Sequence, residues 1–333
     1  MTHVGTNPFA RSGIKEIISH SGHFKVQDSS LYNADGTHLI TYFGDEEPVT
    51  LLNSVTPIGD FAFKFCESLR AITLPDSVTH IGERAFNGCK SLREITLPES
   101  VTHIGDRAFY GRKSLQSITL PESVTHIGKK AFFWCKSLES IFLPDSVTHI
   151  GDRAFNECWS LQSITLPDSV THIGDSAFGK CRSLRAITLP DNVTHIGTNP
   201  FVGSGIKEII SHSVHFKVQG SCLYNADGTH LITCFGWFIT LSDSVTHIGD
   251  RAFEWCDSLR EITLPDSVTH IGEDAFYGCE SLRAITLPDS VTHIGDSAFS
   301  SCESLQRIIV PKGCGEKYRK MLPRYEAKIV EES

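Results

Sequence analysis

The chain has 333 residues, 40% of them hydrophobic and 21% charged, and a formal net charge of −9. This composition suits a folded chain rather than a disordered one, and it lacks the basic stripe with which a nucleic-acid binder neutralises phosphates. No run of about 18 apolar residues occurs, so no membrane insertion is expected.

The first residues, "MTHVGTNPFARSG", carry neither the basic n-region nor the apolar h-region of a secretory leader. Residues 2–44 match residues 194–236 closely, and only the second copy is preceded by a strand and "LPDNV". The chain is therefore expected to start in the middle of a repeat, with natural sequence upstream. An uncapped N-terminal coil of this kind would support weak self-association. Both copies contain "LYNADGTHLI", in which alternating strands flank an Asn-Ala-Asp-Gly turn, a β-hairpin signal. Residues 1–50 and 197–238 are read as irregular repeats that carry such a hairpin. "NADG" resembles the start of a calcium loop, but no Glu occupies the twelfth loop position, and no metal is expected there. Cys222 and Cys234 flank the second turn. The first copy has Ser30 and Tyr42 in their places, so the hairpin does not need a bridge and free thiols are expected.

Residues 51–196 and 239–310 form regular arrays. The His of "VTHIG" recurs at His80, His103, His126, His149, His172 and His195, every 23 residues, and again at His247, His270 and His293. "LRAITL" alternates apolar and polar residues and is rich in β-branched side chains, so it reads as a short strand. Pro75 ends the strand, because it has no N–H for a ladder. "SVTHIG" is a second extended segment closed by a glycine, and "ERAFNGC" is expected to be a helical or 3-10 turn. Ile72, Leu74, Val78, Ile81, Ala85, Phe86, Cys89 and Leu92 fit neither one helix nor one strand. They fit a coil that turns corners and sends an apolar side chain inward from each face. Such a coil buries that edge only by stacking on its neighbours. The repeat length and the L-x-x-I-x-L core are those of a leucine-rich repeat. The expected fold is an α/β leucine-rich-repeat solenoid of 23-residue coils, with a parallel β-sheet on one face and hairpin inserts. Residues 311–333 lose the "SVTHIG" strand, gain helix formers, and are expected to cap the last coil.

The "LPDSVTHIGDRAFYGC"-type units, the "LYNADGTHLI" segment and the "VPKG…EKY" ending resemble the BspA-like, or Treponema-type, leucine-rich-repeat proteins. The resemblance covers essentially the whole chain. It implies a non-catalytic binding protein at a bacterial cell surface or secreted, an adhesin for host matrix, epithelial or other bacterial surface proteins. It carries no fixed functional residues. One departure is Arg112, which replaces the repeat cysteine and is expected to affect local packing only. The alternatives are an intracellular effector or scaffold that binds proteins, and a structural spacer.

The histidines are expected to form an outward, solvated column rather than a metal chain, since parallel imidazoles do not converge as a tetrahedral site requires. Their proximity should lower their pKa values. The repeat cysteines are expected to be buried, inert thiols. Ser-His-Asp and Cys-His combinations occur only in repeated form, so catalysis is not expected, nor is any cofactor. "NVT" at Asn192 is a glycosylation sequon. Binding is sought where coils differ. On the sheet face Phe142 interrupts a row of threonines that includes Thr119 and Thr165, beside the variable Arg93, Gln116, Glu139 and Gln162. On the turns near the cysteine, Tyr110, Phe133, Trp134 and Trp159 cluster in adjacent coils, as interface anchors do.

Overall fold

The computed structural model describes residues 5, 8–9, 12, 14, 16–44, 48–235 and 239–332. The expected N-terminal self-association surface therefore lies mostly outside the described residues. The chain forms two compact units, Met1–Leu184 and Arg185–Ser333. Each is a stack of coils.

In the first unit, strands such as Ala71–Thr73 and Glu94–Thr96 pair in parallel with Ile72 opposite Ile95. Ser117–Thr119 and Ser140–Phe142 do the same. A corner follows, closed by the Val78 N–H bonding Pro75 O at 3.0 Å. Two-residue strands then form a second parallel ladder in which His80, His103, His126, His149 and His172 are in register. The Ser of "P-x-S-V" binds each coil to the one before: Ser77 Oγ donates to Val55 O at 2.6 Å and Ser100 Oγ to Val78 O at 2.6 Å.

The third side, expected to be helical, is not. Arg84, Arg107, Lys130 and Arg153 have φ of 51°, 54°, 56° and 54°, in the left-handed region. Their N–H groups, like those of the following phenylalanines, point out of the coil. Phe86 N–H reaches Ala108 O at 3.0 Å, and Phe109 N–H reaches Ala131 O at 2.8 Å. Intervening amides close local turns, as Asn87 N–H does on Arg84 O at 3.0 Å. A helical turn would spend all its amides within itself. This alternation satisfies the chain locally and still gives a bond to the next coil, which offsets the cost of left-handed non-glycine backbone.

The core is a set of columns. Phe63, Phe86, Phe109, Phe132, Phe155 and Phe178 are fully buried and stack with centroids 5.0–5.6 Å apart. Val, Ile, Leu and Ala columns surround them. Each such Phe contributes roughly 1.5–3 kcal/mol through burial. The cysteines are buried but do more than fill space. Cys89 Sγ donates to Phe63 O at 2.9 Å, Cys135 to Phe109 O at 3.2 Å, and Cys158 to Phe132 O at 3.2 Å.

The irregular segment opening the first unit is a three-stranded antiparallel ribbon of Phe24–Gln27, Ser30–Asn33 and Leu39–Tyr42. The Asn-Ala-Asp-Gly turn connects the last two strands. Asp35 Oδ1 accepts the N–H and hydroxyl of Thr37 at 3.0 and 2.6 Å, and Gly36 takes the positive φ the turn needs. Its twin in the second unit comprises Phe216–Gln219, Cys222–Asn225 and His230–Cys234. Here the expectation of free thiols is corrected. Cys222 and Cys234 are direct cross-strand partners with Cα atoms 4.1 Å apart, and they form a disulfide. The pairing is one that antiparallel strands bring together, whether or not the hairpin needs it.

The second unit continues with coils of the same construction, Phe253, Phe276 and Phe299 stacking in sequence. Its last coil is covered by helix Gly315–Met321, the 3-10 helix Pro323–Lys328 and strand Ile329–Glu331, which pairs in parallel with Arg307–Val310. Tyr318, Leu322 and Ile329 are buried there against the core.

Candidate functional site

Strand alternation puts every second side chain of a coil's first strand outward. Along this row stand threonines, with Phe142 opposite Thr119 in register. Phe142 is 59% exposed. Glu139 N–H bonds Gln116 O at 2.9 Å and Gln162 N–H bonds Glu139 O at 3.1 Å. Thus Gln116, Glu139 and Gln162 form one exposed column beside Thr119, Phe142 and Thr165, with exposed Arg93 one coil earlier. The structure brings all seven of these residues onto one face of the first unit.

The large hydrophobic side chains exposed among the described residues are Ile18, Phe142, Ile210, Val214 and Val330. Ile210 pairs with Thr188, placing it in the outward row. Ile18 holds the same place in the first copy of the segment. Val330 pairs with Ile309, which pairs with Thr286 of the row. The outward strand position thus carries exposed apolar side chains in each unit, Phe142 in the first and Ile210 and Val330 in the second, whereas Val214 lies in a turn. The sequence showed Phe142 as an interruption but not this grouping, which needs the strand register.

The four turn-side aromatics form two groups rather than one. Tyr110 and Phe133 stack at 5.1 Å with rings 4° from parallel. Trp134 and Trp159 are linked by Lys136, whose Nζ is 4.9 Å from one ring centroid and 3.5 Å from the other. Lys113 stands over Trp134 at 4.8 Å and Arg182 over Trp159 at 4.7 Å. These four aromatics are half-buried.

The imidazoles stack at 5.1, 5.4, 4.6 and 4.3 Å from His80 to His172. Each Nδ1 is tied to the hydroxyl of the preceding Thr, as at Thr79 and Thr148, at 2.8 Å. Partial burial, and then the neighbouring imidazoles, lower the pKa of His103 and His149. Among the described residues no group of three or more His, Cys, Asp or Glu could hold a metal ion.

Arg112 departs furthest from expectation. Its side chain is buried in the cysteine column, one of the largest fully buried side chains described. Only Nη2 has a partner, donating to Tyr110 O at 3.2 Å; Nε and Nη1 have none. Burial lowers its pKa. Burial would raise the Cys89 thiol, but its bond to Cys66 and the charge of Arg112 bring it below its ordinary value. Cys135 and Cys181, governed by burial, are pushed up to about 12. The expectation of a purely local packing effect is therefore corrected: the substitution places an under-satisfied cation in a dry column.

Stacked coils with a parallel ladder on one side and a bonded turn ladder on another define a leucine-rich-repeat solenoid, a scaffold that presents extended surfaces to protein partners. The chain belongs to the BspA type leucine rich repeat family, whose repeat region matches in six copies over residues 45–133, 102–229 and 233–322. No curated protein matches. Among solved structures, a leucine rich cell surface protein from Faecalibacterium prausnitzii A2-165 is similar, with 26% identity, 91% of this chain and 98% of that one covered, and a TM-score of 0.51. The leucine-rich-repeat protein of T. pallidum is 34% identical over 54% of this chain and 85% of that one, with a TM-score of 0.49. The pneumococcal vaccine antigen PcpA shares the fold at 19% identity, with 88% and 82% covered and a TM-score of 0.62. No described helix is long and apolar enough to cross a membrane.

Proposed function

We propose that this protein is a non-catalytic adhesin, displayed at a bacterial cell surface or secreted, that holds a protein partner against the outward row around Phe142. The observation that carries this reading is the exposed Phe142 standing opposite Thr119 in the first unit, at a position of the row otherwise held by threonine. A ring 59% exposed between Thr119 and Thr165 gives a partner a large apolar anchor. Gln116, Glu139 and Gln162 supply a polar rim, the arrangement of an interface hot spot. The cell-surface part of the reading is supported by the similarity to the F. prausnitzii protein described as such.

The test is binding of the purified chain to immobilised extracellular-matrix extract and to epithelial-cell lysate, compared with Phe142→Thr. Loss of binding with an unchanged circular dichroism spectrum supports the row. Retained binding in Phe142→Thr, lost in Trp134→Ala with Trp159→Ala, would move the site to the turn-side aromatics.

A further inference from the structure

Two positions of the repeat make the turn side of the first unit cationic. The residue after the cysteine position is Glu67, then Lys90, Lys113 and Lys136 in three successive coils, then Trp159 and Arg182. In the second unit the same position is Asp257, Glu280 and Glu303, again in three successive coils. All three acidic residues are exposed, and none has an ion-pair partner among the described residues. Lys113, Lys136 and Arg182 rest on tryptophan rings instead of carboxylates. Lys90 does pair with Glu67 at 2.9 Å, but its side chain is 68% exposed and the pair lies in solvent. The other position, left-handed in each coil, is Phe61, Arg84, Arg107, Lys130, Arg153 and Ser176 in the first unit and Arg251, Asp274 and Ser297 in the second. Of these, Arg84 and Arg107 share Glu83, at 2.7 and 3.5 Å. A chain of net charge −9 thus keeps a cationic ladder in one unit and an anionic ladder at equivalent places in the other.

We infer that the Lys90–Lys113–Lys136–Arg182 ladder of one molecule docks on the Asp257–Glu280–Glu303 ladder of a second copy of this chain. From Lys90 to Lys136 and from Asp257 to Glu303 the charges recur once per coil, three rungs on each side, at the strand spacing of about 4.8 Å, and Arg182 follows two coils later, past Trp159. Three rungs therefore meet three rungs without either backbone adjusting. The indole faces hold the lysine and arginine groups in place before contact, which reduces the ordering that docking requires. The acidic ladder of the same sequence matches in charge, in rung number and in pitch, which favours a second copy over an unrelated polyanion. Each contact sets the first unit of one copy against the second unit of another. It is independent of what binds at Phe142.

Sedimentation velocity of the full chain tests this at about 10 mM salt, where the Debye length is about 30 Å, and at about 1 M, where it is about 3 Å. The expected result is a weight-average sedimentation coefficient that rises with concentration at low salt and stays monomeric at high salt. Lys113→Glu/Lys136→Glu/Arg182→Glu and Asp257→Lys/Glu280→Lys/Glu303→Lys should each be monomeric, and an equal mixture of the two should form a heterodimer. Circular dichroism checks that both variants are folded. A wild-type chain that stays monomeric at low salt, or a lysine-ladder variant that still self-associates, overturns the inference. A monomeric wild type that is retained on heparin–agarose through Lys113, Lys136 and Arg182 also overturns it, and assigns the ladder to a polyanion.

Discussion

Arg112 Nη2 donates to the carbonyl of Tyr110 at 3.2 Å, while Nε and Nη1 of the same guanidinium, sealed inside the cysteine column, have no partner. In neighbouring coils the same position carries a thiol that donates to a phenylalanine carbonyl. Leaving buried donors unpaired costs about 1–3 kcal/mol, more for a charged group. Arg112→Cys should therefore stabilise the protein by about 1–3 kcal/mol. Urea unfolding will show this as a higher midpoint with the same slope; an equal or lower midpoint would mean the cation has a compensation not seen here.

Phe132 and Phe142 are ten residues apart and predict opposite outcomes. Phe132 is fully buried between Phe109 and Phe155, at 5.2 and 5.3 Å. Phe132→Ala should cost about 3–5 kcal/mol. Phe142→Thr restores the residue used elsewhere in the row and should stay within about 0.5 kcal/mol of wild type. Chemical denaturation of both variants gives the comparison.

The lowered pKa values of His103 and His149, caused first by burial and then by neighbouring imidazoles, set a direction for pH. An unfolded histidine titrates near 6.5. Just below that pH the unfolded chain binds more protons than the folded one, so stability falls as the medium is acidified. Asp152, held below the usual carboxylate range by Lys129 and Asp175 N–H despite its partial burial, loses its contribution only at lower pH. The melting temperature should be lower at pH 5 than at pH 7.5, and replacing His103 and His149 with Gln should shrink the difference. An unchanged melting temperature between these pH values would contradict the packed column.

The Cys222–Cys234 bridge closes a segment with a sequence separation of 12. Linking residues this close removes about 2–3 kcal/mol of unfolded-state entropy. Cys222→Ser with Cys234→Ser should lower stability by about that amount, and dithiothreitol should lower the wild type but not the variant. The corresponding ribbon in the first unit, with Ser30 opposite Tyr42, forms without a bridge, so the variant should still fold.

Much of this was legible in the sequence, because a solenoid coil repeats its instructions. The inward columns from Ile72 to Leu92, the corner at Pro75, the His register and the Asn-Ala-Asp-Gly turn all followed from spacing. The turns at Arg84, Arg107 and Lys130 did not. Nothing in Arg or Lys favours positive φ, and the conformation is held by amides of the next coil, which local propensity does not see. The cysteine column looked like hydrophobic filling because its bonds run to a carbonyl 26 residues earlier. The placement of Phe142 was visible, but its kinship with Ile210 and Val330 depended on strand partners. The Lys113 and Glu280 ladders were present as letters and became surfaces only once the turn geometry was known.

The opposed sense of the backbone bonds has a consequence for how such chains change length. On the His ladder each coil's amide reaches back, as Thr102 does to Thr79 O at 2.9 Å; on the Phe side it reaches forward, as Phe86 does to Ala108 O at 3.0 Å. Joints between the regular coils described are thus the same two-way clasp. Adding or removing whole regular coils exchanges one clasp for an identical one. Within the regular arrays length therefore varies in steps of one complete coil, and each step carries its own pair of surface letters, outward on the strand and outward on the turn.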